Sequence, residues 1–86
     1  MRIKAIYRKN LKMSEGKVAS QVAHAVKNLG ETPKDINIVV LKVSDNKFTE
    51  LTLANSGREQ YYIQIDKGLT EVDKDTPTAA AWVEYK

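Results

Sequence analysis

Lys17, Gln21, His24 and Asn28 recur at i, i+4, i+7 and i+11, a spacing that stacks side chains on one face of a helix. An ammonium, two amides and an imidazole in one stripe could line a binding or catalytic site. They could equally be the solvated side that any surface helix carries. The start of the same helix bears on the choice. Glycine inside a helix costs about 1 kcal/mol relative to alanine, and a first-turn lysine adds positive charge to the positive end of the helix dipole. Gly16 and Lys17 therefore do nothing for helix stability. Both suit an anion site, because the free N–H groups of a first turn attract negative charge and glycine lets a ligand approach the backbone closely.

Ser20 and His24 are also one helical turn apart, and Asp66 lies elsewhere in the chain. Together they invite a Ser-His-Asp triad, but such triads are defined by geometry, and a single i, i+4 pair supplies almost none. Asp66 stands at the end of an apolar run and enters Lys67-Gly68. It is either a turn-capping carboxylate or a functional group at the carboxyl end of a strand, where open α/β sheets commonly place their sites. Composition narrows the chemistry. The chain has no cysteine and a single histidine, which excludes disulfides, thiol catalysis and thiolate or multi-histidine metal sites. No acidic loop suggests a site for a hard cation.

Eighty-six residues fit a single domain, 1–86, with a thin core. The polar N-terminal segment does not read as a signal sequence, and no apolar run has the length of a membrane span. A soluble, cytoplasmic protein is expected. The formal net charge is +3, which permits an anionic partner without requiring one. Its distribution is uneven: Arg2, Lys4, Arg8, Lys9, Lys12 and Lys17 face only Glu15 among the first 17 residues. That cluster is either a solubilising end or a phosphate-binding patch.

The elements that must position these groups follow from periodicity. Residues 2–8 alternate Ile3, Ala5 and Tyr7 against Arg2, Lys4, Ile6 and Arg8, as a strand does. Ser14 is a good N-cap, with Met13 and Val18 placed as a hydrophobic staple. The spacing predicts a helix over 15–29 that buries Val18, Val22, Val26 and Leu29 and stops at Gly30. "INIVVLKV", 36–43, reads as a central strand covered on both faces. A second helix over 46–56, capped by Ser44 or Asp45, would bury Phe48 and Leu51. Strands are expected over 61–66 and 78–85, the latter after a break at Asp75-Thr76-Pro77. Strands separated by helices usually return parallel; the pairing of the last two is left open. The expectation is an α/β three-layer sandwich with a small mixed four-stranded sheet, ordered β-α-β-α-β-β.

"NLKMSEGKVASQVAHA" resembles the signature of the type II, archaeal and eukaryotic, peptidyl-tRNA hydrolases, roughly D-L-K-M-x-x-G-K-x-A-x-Q-x-x-H-A. "IVVLKVSDNKFTEL" is similar to the family's central strand and following helix. "YYIQIDKGLTEVDKDTPTAAAWV" is similar to its I-x-D-A-G-x-T-x-V-x-x-G-T-x-T segment and last strand. The similarity runs nearly the length of the chain and in order. It implies hydrolysis of the ester between peptide and tRNA, tRNA as partner and no organic cofactor. It matches Lys17, Asp66, Thr70 and Thr78 to the active site, and Gln21 and His24 to the polar stripe beside it. Lys9 and Lys12, in the basic cluster, become candidates for tRNA phosphates.

Ester hydrolysis needs a positioned water and a stabilised oxyanion. Lys17 could serve the oxyanion or a phosphate, Asp66 could orient water or act as base, and the threonine hydroxyls could hold either water or Asp66. The departures are Asn10 for the family's aspartate, Lys67 for alanine and Asp75 for glycine. A six-residue loop, 30–35, stands where the family carries more helix, and the family's Ile-Gly-Pro ending and last helix have no counterpart before Lys86. They motivate an alternative, an inactive member serving as an RNA- or protein-binding module. They also leave part of the sheet thinly covered, from which a homodimer is expected.

Overall fold

Two serines start the two helices. Ser14 Oγ accepts the N–H of Lys17 at 3.3 Å and Ser44 Oγ that of Lys47 at 3.2 Å, each satisfying a donor that the first turn leaves without a partner. The computed structural model describes residues 1–66 and 76–85. The elements run β1 (Arg2–Arg8), α1 (Glu15–Lys27), β2 (Asn37–Val43), α2 (Asp45–Asn55), β3 (Tyr61–Asp66) and β4 (Thr76–Glu84). Gly30 follows α1 with φ at 94°, the left-handed stop that glycine makes at little cost. No described helix is long and apolar enough to cross a membrane.

The four strands form one mixed sheet in the order β2-β1-β4-β3. β1 and β2 are parallel, as the α1 crossover predicts, while β4 runs antiparallel to both β1 and β3. Alternation along the strands makes two small cores. Ile3, Ala5, Ala81 and Val83 pack with Ala25 and Leu29 on the α1 side. Ile6, Ala80 and Trp82 pack with Phe48 on the α2 side. The sheet thus has one helix on each face.

Three expectations are corrected. The apolar run of β2 is an edge strand and not a central one. β1 lies between β2 and β4, so Ile38, Val40 and Leu41 stay about half exposed. Second, α1 does not bury its valine stripe. It lies over β4, β3 and β1, so its inward residues are Gln21, Ala25 and Leu29, with Val18, Val22 and Val26 only half-buried on the flank toward β2. Third, β4 begins at Thr76 and passes through Pro77. Gln64 pairs with Ala79 but Ile65 with Pro77. Thr78 is therefore the extra residue of a β-bulge, a place where a strand accepts proline and re-aims a side chain.

At the end of the sheet remote from Thr78, Glu84 takes a hydrogen bond from Arg2 at 2.6 Å and one from Trp82 Nε1 at 3.1 Å, with Lys4 at 4.0 Å. Burial pushes the Glu84 carboxyl up. The hydrogen bonds from Arg2 and Trp82, with the charges of Lys4 and Arg2, outweigh it and hold the group below its ordinary value. A carboxyl depressed in the folded state stabilises the fold above its unfolded pKa, and that stability is lost as pH falls through the folded value. Glu84→Gln should therefore destabilise the protein at neutral pH and flatten the loss of stability below about pH 4.5. Urea unfolding followed by the fluorescence of Trp82, the sole tryptophan, at a series of pH values measures this; parallel curves for both proteins would contradict it.

Candidate active site

The bulge determines which side of the sheet Thr78 serves. Ala80 and Trp82 belong to the α2-side core, so strict alternation would send Thr78 there too. Instead its hydroxyl meets α1: Gln21 Nε2 donates to Thr78 Oγ1 at 2.8 Å, and Thr78 Oγ1 donates to the carbonyl of Gln64 at 3.3 Å. Thr78 is fully buried. One inserted residue therefore moves a hydroxyl from one core to the other.

Asp66 ends β3 opposite Thr76, in phase with Tyr62 on the α1 side. Lys17, from the first turn of α1, donates from Nζ to Asp66 Oδ1 at 2.5 Å. Gln21, one turn on, reaches the same oxygen from Nε2 at 3.4 Å. The ion pair is nearly dry, with the Lys17 and Asp66 side chains 13% and 6% exposed. A continuous polar chain therefore links the Lys17 ammonium, the Asp66 carboxylate, the Gln21 amide, the Thr78 hydroxyl and the Gln64 carbonyl. The Asp66 carboxylate stands beside the first two turns of α1, where the helix dipole favours negative charge. This accounts for the odd helix start: the lysine that the dipole disfavours is matched by a carboxylate that the dipole favours.

Lys17, Asp66, Gln21 and Thr78 thus come together in space. Gln21 sits within the network and His24 faces outward, exposed, so the stripe read along the helix divides between an inner and an outer half. Ser20 is exposed as well, away from the buried Asp66. Thr70 lies outside the described residues, as do Lys67 and Asp75. Lys9 and Lys12 are exposed. With Tyr7, Arg8 and Lys42 they line an open groove of about 430 Å³ that also touches Val18 and Ala19, on the flank of α1 away from Gln21.

Two neighbours of the site escaped the sequence reading. Gln64 contributes only its backbone carbonyl, which no side-chain pattern reveals. Arg8 reads as one more basic residue, but it is half-buried and bound to Asp45 and Pro77. The available signal was Ile6: an isoleucine in the phase of Arg2, Lys4 and Arg8 means that this face, too, is covered.

Compared with protein families, the chain matches the model for peptidyl-tRNA hydrolase PTH2 over residues 1–84. Among curated proteins nothing matches.

Breaking a buried pair by removing one partner typically costs about 3–5 kcal/mol, whereas replacing both with apolar groups is often near neutral. Lys17→Met should destabilise the fold by an amount of this order, and Lys17→Met with Asp66→Leu should recover most of it. Urea unfolding of the two variants gives the comparison. A double variant as unstable as the single one would mean that the pair holds the fold together for its own sake.

Proposed function

The chain belongs to the peptidyl-tRNA hydrolase PTH2 family, and from that premise we propose that it hydrolyses the ester bond between the peptide and the tRNA of peptidyl-tRNA, returning free tRNA to translation in the cytoplasm. The observation that carries the proposal is the nearly dry Lys17–Asp66 pair joined through Gln21 to Thr78. Water adds to the ester carbonyl carbon, and its proton passes to the Asp66 carboxylate. The carbonyl oxygen becomes an oxyanion. An ammonium has three donors, so Lys17 can keep one on Asp66 and turn another to the oxyanion. Collapse of the tetrahedral intermediate breaks the bond to the tRNA ribose oxygen, which takes back the proton held by Asp66, so that the carboxylate is restored and the peptide leaves with a free carboxyl end. Thr78, its hydroxyl fixed between Gln21 and Gln64, and Thr70, by its match to the family motif, hold the water and the carboxylate in register.

Lys9 and Lys12, beside Lys42 in the groove at the start of α1, are assigned to tRNA phosphates, and the exposed His24 to substrate contact. The half-exposed Ile38, Val40 and Leu41 of the edge strand β2 support a homodimer formed through that edge. Val40→Lys should then shift the sedimenting species to monomer.

Asp66→Asn keeps the size of the side chain but removes its charge and its capacity to take a proton. It should nearly abolish single-turnover cleavage of peptidyl-tRNA while leaving tRNA affinity largely intact. Lys17→Ala, assayed where circular dichroism shows it folded, should lower the rate by about two to three orders of magnitude, the usual loss for one oxyanion donor. Wild-type protein that binds peptidyl-tRNA yet never releases tRNA would favour the binding-module reading. Cleavage unaffected by Asp66→Asn would keep the activity and discard this site.

Binding to tRNA should weaken steeply with salt, because phosphate contacts release counterions. Lys9→Ala and Lys12→Ala should each reduce the slope of log affinity against log salt by about 1. Titrations at several salt concentrations give the slopes, and slopes equal to wild type would remove both lysines from the interface.

A further inference from the structure

Beside the β4 bulge that turns Thr78 toward the site, the carbonyl of Pro77 meets Arg8, whose guanidinium comes from the α2 side of the sheet. The guanidinium donates from one terminal nitrogen to the Pro77 carbonyl at 2.8 Å. Its Nε and other terminal nitrogen grip the two oxygens of Asp45 at 3.0 and 3.1 Å. Its carbon lies 5.9 Å from the centroid of the Phe48 ring, within reach of a cation–π contact. Hydrogen bonding from Arg8 is also the leading reason that the Asp45 carboxyl lies below its ordinary value. Arg8 is fixed at both ends: it leaves β1 one residue beyond the last β1–β4 pair, Tyr7 with Ala79, and Asp45 opens α2 immediately after its Ser44 cap.

We infer that Arg8 is a positioning residue for the candidate active site: by clamping the Pro77 carbonyl to the start of α2, it holds the β4 bulge and so keeps the Thr78 hydroxyl on Gln21 beside the Lys17–Asp66 pair. The need for a clamp follows from the bulge. Proline has no N–H to give the ladder, and the inserted Thr78 is unpaired in the register with β3, so main-chain pairing is weakest where the site needs it most. A planar, forked donor can bind a carboxylate with two nitrogens and a carbonyl with the third. A lysine ammonium lacks that geometry. The Arg8 guanidinium, held by Asp45 and over Phe48, is on the α2 side of the sheet and Thr78 Oγ1 on the α1 side. Although Arg8 also borders the groove of Lys9 and Lys12, it therefore acts on the site through the backbone of β4 and not by contact with Thr78.

The catalytic part of this inference rests on the hydrolase reading; the structural part does not, and the experiment separates them. In Arg8→Gln and Arg8→Lys, steady-state cleavage of peptidyl-tRNA should show kcat lowered and KM unchanged. The expected loss in Arg8→Gln is on the order of a hundredfold, the scale that a misplacement of about 1 Å can produce. In a Thr78→Val background, Arg8→Gln should lower kcat no further, because the hydroxyl that Arg8 positions is already gone. NMR of the Gln21 side-chain amide gives a readout independent of turnover. Its protons should be protected from exchange in wild type and lose that protection in both Arg8 variants, while the main-chain amides of β1 and α1 keep theirs. Should wild type prove inactive, the hydrolase reading falls and the Gln21 amide alone decides. Unchanged Gln21 protection would overturn the inference. So would a raised KM at constant kcat, which marks a residue that binds substrate phosphate, or equal losses with and without the Thr78 hydroxyl. If Arg8→Gln fails to fold, Arg8→Lys, which keeps a cation near Asp45, carries the same comparisons.

Discussion

An ammonium and a carboxylate brought together almost out of water set the terms for this fold. Desolvating each ion costs on the order of several kcal/mol, and mutual attraction offsets it only where geometry is good and further hydrogen bonds are made. The first turn of α1 supplies the lysine and the last residue of β3 the aspartate. Gln21 donates again to the same carboxylate oxygen. The helix dipole adds to the field on the carboxylate and works against the lysine. An apolar pair would fill the same space with less electrostatic penalty. That the chain keeps the charged pair beside a core so rich in alanine is the physical argument for a function at this point.

The bulge extends that pair into a network. A regular β4 would present Thr78 to the core of Phe48 and Trp82, where a hydroxyl is out of place. With one residue inserted, the hydroxyl finds Gln21 and Gln64 instead. The irregularity then needs its own support, which Arg8 gives from the far side. The two faces of the sheet are therefore not independent: the α1 side carries the site, and the α2 side carries the contacts that keep the strand beneath it irregular.

Much of this was legible in the residues. The Ser14 cap and the six elements in order follow from capping residues and periodicity. The same residues narrow the second cap to Ser44 or Asp45, and the shared place of Lys17 and Asp66 follows from the family resemblance. What periodicity conceals is which side of an element faces in. The valine stripe of α1 outranks Gln21 in hydrophobicity, yet Gln21 is the buried residue, because the helix sits over β4 and leaves β2 only half covered. Likewise "INIVVLKV" has the composition of a central strand, but its place is fixed by the non-local pairing of β1 with β4. The bulge escapes for a related reason. Thr76-Pro77-Thr78 reads as a break, and only the register with β3 shows the strand continuing through it.

Small side chains give the site its reach. Ala5, Ala25, Ala79, Ala80 and Ala81 are all fully buried, and Ala5, Ala25 and Ala81 share the core between α1 and the sheet. Alanine contributes little apolar area, so such a core is weaker per residue than one built of leucine and isoleucine. It also lets the helix lie close to the strands. A glutamine is short, and to join a carboxylate on β3 to a hydroxyl on β4 from α1 it must start near both. Larger residues at Ala5, Ala25 and Ala81 would strengthen the core by area alone but lift α1 from the sheet, since close-packed interiors transmit added volume into displaced backbone. The thin core and the tight polar network are then two results of one choice of residues: close approach of α1 to the sheet at the expense of buried apolar surface.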